Sequence, residues 1–468
     1  MGLEKILTFF PEVKKPSEKR LSFNIKLKWT LVVLVCFFFL ANIPLFGLKQ
    51  NALERFQYLA IIFGTDFGSI ISLGIGPIVM ASIILQLLVG SKILNIDLTT
   101  SEGKRYFQGL QKLAVVFFII FEACVYVLMR GLEAIPGYTA IVIFQLILGG
   151  LAIVLLDDLV QKWGFGSGVS LFIAAGVGWR LFNGLFQFMG VEGGNCLFHF
   201  TGQPGEVVEC GGKVLVFLQS LINQNPQGAL QALIILIVTA VIFGIVVWAQ
   251  SLKVEIPLSF DRLRGYSIKW PLSFFYTSVV PVILTAALLA NLQLFGGLIQ
   301  NWQGHGTIIG TFDQGVARSG LAYWISDPHP NLIQQITTST FNLRGGLQIL
   351  THVLFYILFS TIFAVFWVKT SGMDAASQSR NIMASGLQIS GFRRDERVLE
   401  SVLERYVMPL TIMGGAAIGI LAALANALGA IVSGTAILLG VMIIYQFYQN
   451  IAQQHAVDMY PALRRFTS

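Results

Sequence analysis

The sequence predicts an all-α, polytopic membrane protein with ten transmembrane helices in two inverted five-helix halves. Three observations lead there. Only 12% of the 468 residues are charged and 55% are hydrophobic, against roughly 25% charged in soluble domains, and the mean hydropathy is +0.73. Apolar runs recur near the ~20 residues that cross a bilayer. The basic residues gather on one side of those runs, which sets orientation.

Residues 1–28 are basic, and the apolar run after them is too long for a signal peptide, with no small-residue cleavage pattern. They predict no cleavable signal. The start, LEKILTFF, has helical periodicity and predicts either a surface-lying helix or a free tail. Spans follow at 29–46, 70–89, 113–129, 138–156 and 169–189, then at 229–248, 274–295, 347–368, 406–427 and 433–449.

The second span is irregular. Its helix, LGIGPIVMASIILQLL from Leu73, carries Gly74, Gly76 and Pro77 at its start, and the half-polar FGTDFGSIIS precedes it. Glycine weakens a helix and proline removes a donor. Backbone within lipid must satisfy its own hydrogen bonds, so this stretch predicts a short half-helix, a bend and a full helix, buried in protein or lining water. Broken helices commonly mark a transport site.

With the N-terminus in the cytosol, most of the 31 Lys and Arg lie in cytosolic segments. The outer segments hold Lys49, Arg55, Arg130, Lys213, Arg318 and Arg344, and Arg180 sits in a span. Both termini are therefore predicted to be cytosolic. The halves occupy 1–190 and 229–468, joined by an outer loop at 191–228. Five spans is an odd number, so the second half enters from the opposite face, an inverted-repeat layout. Weak echoes agree: Gly76-Pro77-Ile78-Val79 against Val280-Pro281-Val282-Ile283, and GSGVSLFI against SGTAILLG. Two cytosolic loops, 251–273 and 369–405, exceed simple helix connections; their size and charge predict binding work besides orientation.

Several chemistries have no signature. There is no phosphate-binding G-x-x-x-x-G-K-[ST], no H-E-x-x-H and no metal-spaced Cys/His cluster, so neither enzyme activity nor a metal or other cofactor is predicted. His352 falls in a span and reads as a satisfied bundle residue. Cys36 and Cys124 read as apolar filler. Cys196 and Cys210 share the outer loop; a bridge would close roughly 15 residues, worth about 3 kcal/mol, and free thiols are the alternative. Glu122, mid-way along the third span, must face the bundle or water.

The run LGIGPIVMASIILQLLVG resembles the broken second helix of the SecY / Sec alpha-subunit protein-conducting channel family, closest to its archaeal and eukaryotic branch. GFGSGVSLFIAAGV at Gly164, IPLSFDRLRG at Ile256, PVILTAALLANLQ at Pro281 and GFRRDE at Gly391 follow in the family's order, and the resemblance covers essentially the whole chain.

The resemblance implies an hourglass closed by six aliphatic side chains, which match Ile75, Val79, Val169, Ile173, Ile283 and Leu439 here. It implies a plug at 53–67, with Leu59, Ile62, Phe63, Gly64, Asp66 and Phe67. It implies a lateral gate between the second and seventh spans, releasing apolar helices and signal sequences into membrane lipid. Glu122 and Asn291 match members of the polar cluster there, and Met80 stands where a hydroxyl is common. The long loops match those that dock the ribosome, through Arg262, Arg264, Arg393 and Arg394. Implied partners are the ribosome, the nascent polypeptide and small single-span translocase subunits of the SecE/gamma and beta types. The membrane would be an archaeal plasma membrane, or the endoplasmic reticulum in a eukaryote. The rival reading is a gradient-driven secondary transporter, which needs an ion site at its broken helices; Ser72 and Ser82 lie near Pro77 with no carboxylate in that helix.

Overall fold

The computed structural model describes residues 12–17, 21–51, 67–90, 93–96, 100–189, 196, 210–260, 267–277, 280–313, 316–337, 339–340, 342–384, 387–389 and 395–459. Among them nine helices are long and apolar enough to cross a membrane. They are Phe23–Ala41, Ser101–Leu128, Thr139–Trp163, Gly168–Phe186, Pro226–Ser251, Val280–Gln303, Leu343–Thr370, Glu396–Leu428 and Gly434–Met459. The 15-residue Gly76–Gly90 takes the second position and completes the ten.

Contacts between helices repeat between the halves. The first span packs on the fourth as the sixth packs on the ninth. The second packs on the third as the seventh packs on the eighth. The halves meet where the second span touches the seventh and the fifth touches the tenth. Pro77 and Pro281 are each the second residue of their helix, a position whose N–H needs no partner within the helix. Paired glycines occupy equivalent places on the fourth and ninth spans. A Cβ on Gly150 would lie 2.8 Å from the Ile119 side chain, and one on Gly415 the same distance from Ala364. Both pairs allow a close helix approach that a side chain would block.

Two helices begin well before their predicted starts. The third starts at Ser101, where the Thr100 side chain accepts from the Gly103 N–H. The ninth starts at Glu396, where Asp395 accepts from the Arg397 N–H. Hydropathy marks only the lipid-crossing part, and each helix continues into water as an amphipathic extension. Leu399, Leu403 and Val407 bury one face of the ninth helix's extension against Ile256, Leu272 and Tyr276.

The long loops also depart from prediction. Lys253–Phe260 and Ser267–Ser273 form an antiparallel hairpin, and Leu387–Ile389 of the other loop adds a third strand. A small sheet therefore unites the two basic loops. At its base the Tyr276 hydroxyl donates to the Met373 carbonyl at 2.6 Å, and burial pushes that phenol up to about 12. Residues 12–17 strap the same end of the bundle. The Val13 N–H donates to Asp158 at 2.8 Å, Lys162 donates to the Val13 carbonyl at 2.7 Å, and Glu12 pairs with Lys112. LEKILTFF lies outside the described residues.

Candidate functional site

The broken second span supplies the site's least regular backbone. Residues 67–75 form successive turns, with Gly68 and Gly74 at positive φ, before the helix starts at Gly76. Protein satisfies this backbone. Ile70 N–H donates to the Ile43 carbonyl at 3.0 Å, and Leu45 N–H to that of Gly68 at 2.9 Å. Gly68 N–H donates to Ser72 Oγ at 2.8 Å. Ile71, Ser72 and Ile75 are wholly buried. Gly149 of the fourth span faces the Ile70 carbonyl so closely that a side chain there would collide with backbone.

This turn delivers Ile75 into the buried apolar core. Val79 N–H donates to the Ile75 carbonyl at 3.0 Å, so the two side chains lie one turn apart. On the fifth span, Ser167 caps the helix, and Asp157 accepts the Val169 N–H at 3.0 Å. Ile173 follows one turn later. Ile75, Val79, Ile173, Ile283 and Leu439 are all buried and belong to one apolar cluster, with the half-buried Val169 packed against it. Four helices from both halves thus contribute side chains to one apolar cluster. Aliphatic side chains offer no hydrogen-bond partner to water or ions.

Apolar side chains also line the contact of the second and third spans with the seventh. Ala81 of the second span, Ile119, Ala123 and Tyr126 of the third, and Ala290, Leu294 and Leu298 of the seventh form a second apolar cluster. Glu122 lies among these third-span residues, 1% exposed, and neither carboxyl oxygen has a hydrogen-bond partner among the described residues. Asn291 is buried and donates to the Ala287 carbonyl of its own helix at 2.8 Å. Glu122 and Asn291 are therefore not joined by a hydrogen bond. Met80 is half-buried and packs against the first apolar cluster. The polar link from the second span to the third comes instead from Gln111, which donates to Ser82 at 2.9 Å.

Of the plug residues, Phe67 is half-buried and packs on the second apolar cluster; Leu59, Ile62, Phe63, Gly64 and Asp66 lie outside the described residues. Arg262, Arg264, Arg393 and Arg394 do too, although the three strands flank them. Cys196 and Cys210 are joined in a disulfide with Cα atoms 5.5 Å apart. Among the described residues, no three His, Cys, Asp or Glu side chains gather as a metal-ligand set.

Sequence reasoning missed one polar group at the other end of the bundle. Asn426 donates to Asp327 at 2.8 Å and accepts from the Thr435 N–H at 2.8 Å. Asp327 also lies 3.4 Å from His352 Nε2. His352 Nδ1 is 2.7 Å from the Ile325 carbonyl, but Nε2 is buried with no hydrogen-bond partner among the described residues, so the histidine is only half satisfied, unlike the bundle residue expected from the sequence. Asp327 and Asn426 are 99 positions apart, and nothing local signals their meeting.

The comparisons agree with this geometry. The SecY family model matches residues 69–448. The protein translocase subunit SecY of Methanothermobacter thermautotrophicus is 42% identical, with 99% of this chain and 98% of that protein covered. A solved protein-conducting channel is 35% identical with a TM-score of 0.81, covering 98% of this chain and 99% of that one. Sec61 in a canine ribosome-channel complex from the endoplasmic reticulum is 34% identical with a TM-score of 0.77, at the same coverage. The chain belongs to the SecY family of protein translocase subunits.

Proposed function

We propose that this chain is the central, pore-forming subunit of the protein translocase: a passive channel that passes unfolded secretory polypeptides and lets apolar helices leave sideways into lipid. One observation carries the reading: Ile75, Val79, Ile173, Ile283 and Leu439 come from both halves yet share one buried apolar cluster, with Val169 packed against it. The idealised cost of moving a small ion into such a medium is on the order of 20 kcal/mol, so the closed ring blocks ions. Aliphatic side chains bind no particular sequence and change rotamer around a passing chain, which suits a non-selective path.

Segment 53–67 plugs the outer side of the ring at rest. Signal sequences enter the seam between the second and seventh spans, where Glu122, Asn291 and Met80 tune its opening. The basic end is cytosolic. There Arg262, Arg264, Arg393 and Arg394 dock the ribosome through the phosphates of its RNA, for which guanidinium is well shaped. The canine Sec61 complex supports that partner. Small SecE/gamma-type and beta-type subunits brace the two halves.

Joint replacement of Ile75, Val79, Ile173 and Ile283 by serine tests the ring. Reconstituted vesicles should leak small ions at rest. Leak equal to that of the parent would remove the ring assignment.

A further inference from the structure

The tenth span is buried through its middle by apolar side chains, and its polar contact lies at its start. From Ala436 to Ile443 its buried side chains are all apolar, and apolar contact is non-directional. No polar side chain in that stretch fixes its rotation by a directional bond. Its first turn is different. Thr435 is the second residue of Gly434–Met459, so its N–H is one of the helix's orphan donors. Asn426, from the end of the ninth span, accepts that N–H at 2.8 Å. A Cβ on Gly434 would clash with the Ala425 backbone, so the turn between the two spans is tight.

Asn426 is itself held. Its amide donates at 2.8 Å to Asp327, in the loop after the seventh span. Asp327 faces the wholly buried His352 of the eighth span, and that ring is held by the Ile325 carbonyl and lies tilted against Tyr356 with centroids 4.8 Å apart. The Asp327 side chain keeps 23% of its surface exposed, so water reaches the anchor from outside the bundle. Leu439 lies one helical turn beyond Thr435, on the same face.

We propose that Asp327, Asn426 and His352 form a latch that sets the rotation and depth of the tenth span, and so holds Leu439 in the closed waist. The inference rests on the waist reading above. Asn426 is a positioning residue: it touches no translocating chain and acts through Leu439. Release of the latch frees the tenth span to turn Leu439 away while the ninth span stays packed.

Resting ion leak from vesicles holding the full-length chain tests this. Asn426→Ala removes both bonds and should raise leak about ten-fold, the shift that loss of roughly one net buried hydrogen bond gives a closed–open equilibrium. Asp327→Asn keeps the acceptor oxygen and should stay near the parent. Ser360→Ala is the control. It deletes a 2.9 Å bond to the Gly415 carbonyl between the eighth and ninth spans, without touching the tenth, and should not leak. Leu439→Ser should leak like Asn426→Ala. If Leu439→Ser leaks and Asn426→Ala does not, the latch is overturned and the waist stands. If Ser360→Ala leaks as much as Asn426→Ala, the effect is general loosening and the latch is overturned. If Leu439→Ser does not leak, the waist fails and the latch with it. Should Asn426→Ala not fold, Asp327→Ala keeps the Thr435 bond and must still leak above the parent; parent-level leak overturns the latch.

Discussion

Alanine at Gly149 perturbs the backbone that places Ile75. An added Cβ would lie 2.8 Å from the Ile70 carbonyl carbon and nearer still to its oxygen, where ordinary contact begins at 3.4 Å. The carbon alone demands a separation of about 0.6 Å, and the oxygen demands more. The obstacle is backbone, held by the Ile70–Ile43 hydrogen bond at 3.0 Å, so no rotamer change relieves it. Overpacking of this kind costs about 1–3 kcal/mol, and a rigid neighbour puts this site at the upper end. Gly150→Ala meets side chains rather than backbone, Ile119 at 2.8 Å and Leu73 at 3.3 Å, and should cost roughly 1 kcal/mol. Gly178→Ala meets nothing within 4 Å and should stabilise by roughly 0.5–1 kcal/mol through helix propensity. Detergent-solubilised variants, unfolded by denaturant with parent and variant compared at one midpoint, give the order. Gly149→Ala should be the weakest of the three and should also raise resting leak, because Ile75 follows Ile70 in the same run of turns. Stability equal to that of Gly178→Ala would refute the close packing of this segment on the fourth span.

Charge reversal of Arg262 and Arg394 together should weaken ribosome binding and reduce its salt dependence, measured by cosedimentation across a salt series; unchanged binding rejects the docking residues. The N-terminal strap should loosen in acid. Lys112 beside Glu12 holds that carboxyl below its usual range, so the contribution is present above the ordinary carboxylate pKa and is lost as pH falls through the depressed value. The pair is half exposed and worth about 0–1 kcal/mol. Protease cleavage within 12–17 should therefore rise modestly at low pH in the parent and rise less in Glu12→Gln, where Asp158 still holds the strap.

The lipid-crossing spans were legible because hydrophobic length leaves a local record. Pro77 and Pro281 read correctly as equivalents, and both open their helices. The Gly149-Gly150 and Gly414-Gly415 pairs were in plain view as a third echo, but their meaning depends on which backbone lies opposite. The helix extensions from Ser101 and Glu396 were hidden because hydropathy stops at the membrane surface. The alternating Lys253, Val254, Glu255, Ile256 could have shown the hairpin; its third strand comes from more than a hundred residues later and had no local signal. The waist residues were ordinary aliphatics until the family resemblance singled them out. Cys196 and Cys210 had a permissive spacing, and only the fold brings them together. Asp327 and Asn426 are each unremarkable polar residues near helix ends, and their partnership exists only in three dimensions.

The waist itself is tested most directly by a translocating chain stalled part-way, with photo-crosslinking groups placed at Ile75, Ile173, Ile283 and Leu439 in turn. All four should capture the same short stretch of that chain, and the exposed Leu354 and Leu358 of the eighth span should not. Capture absent at the four, or equal at the two exposed positions, would contradict a central path between the halves.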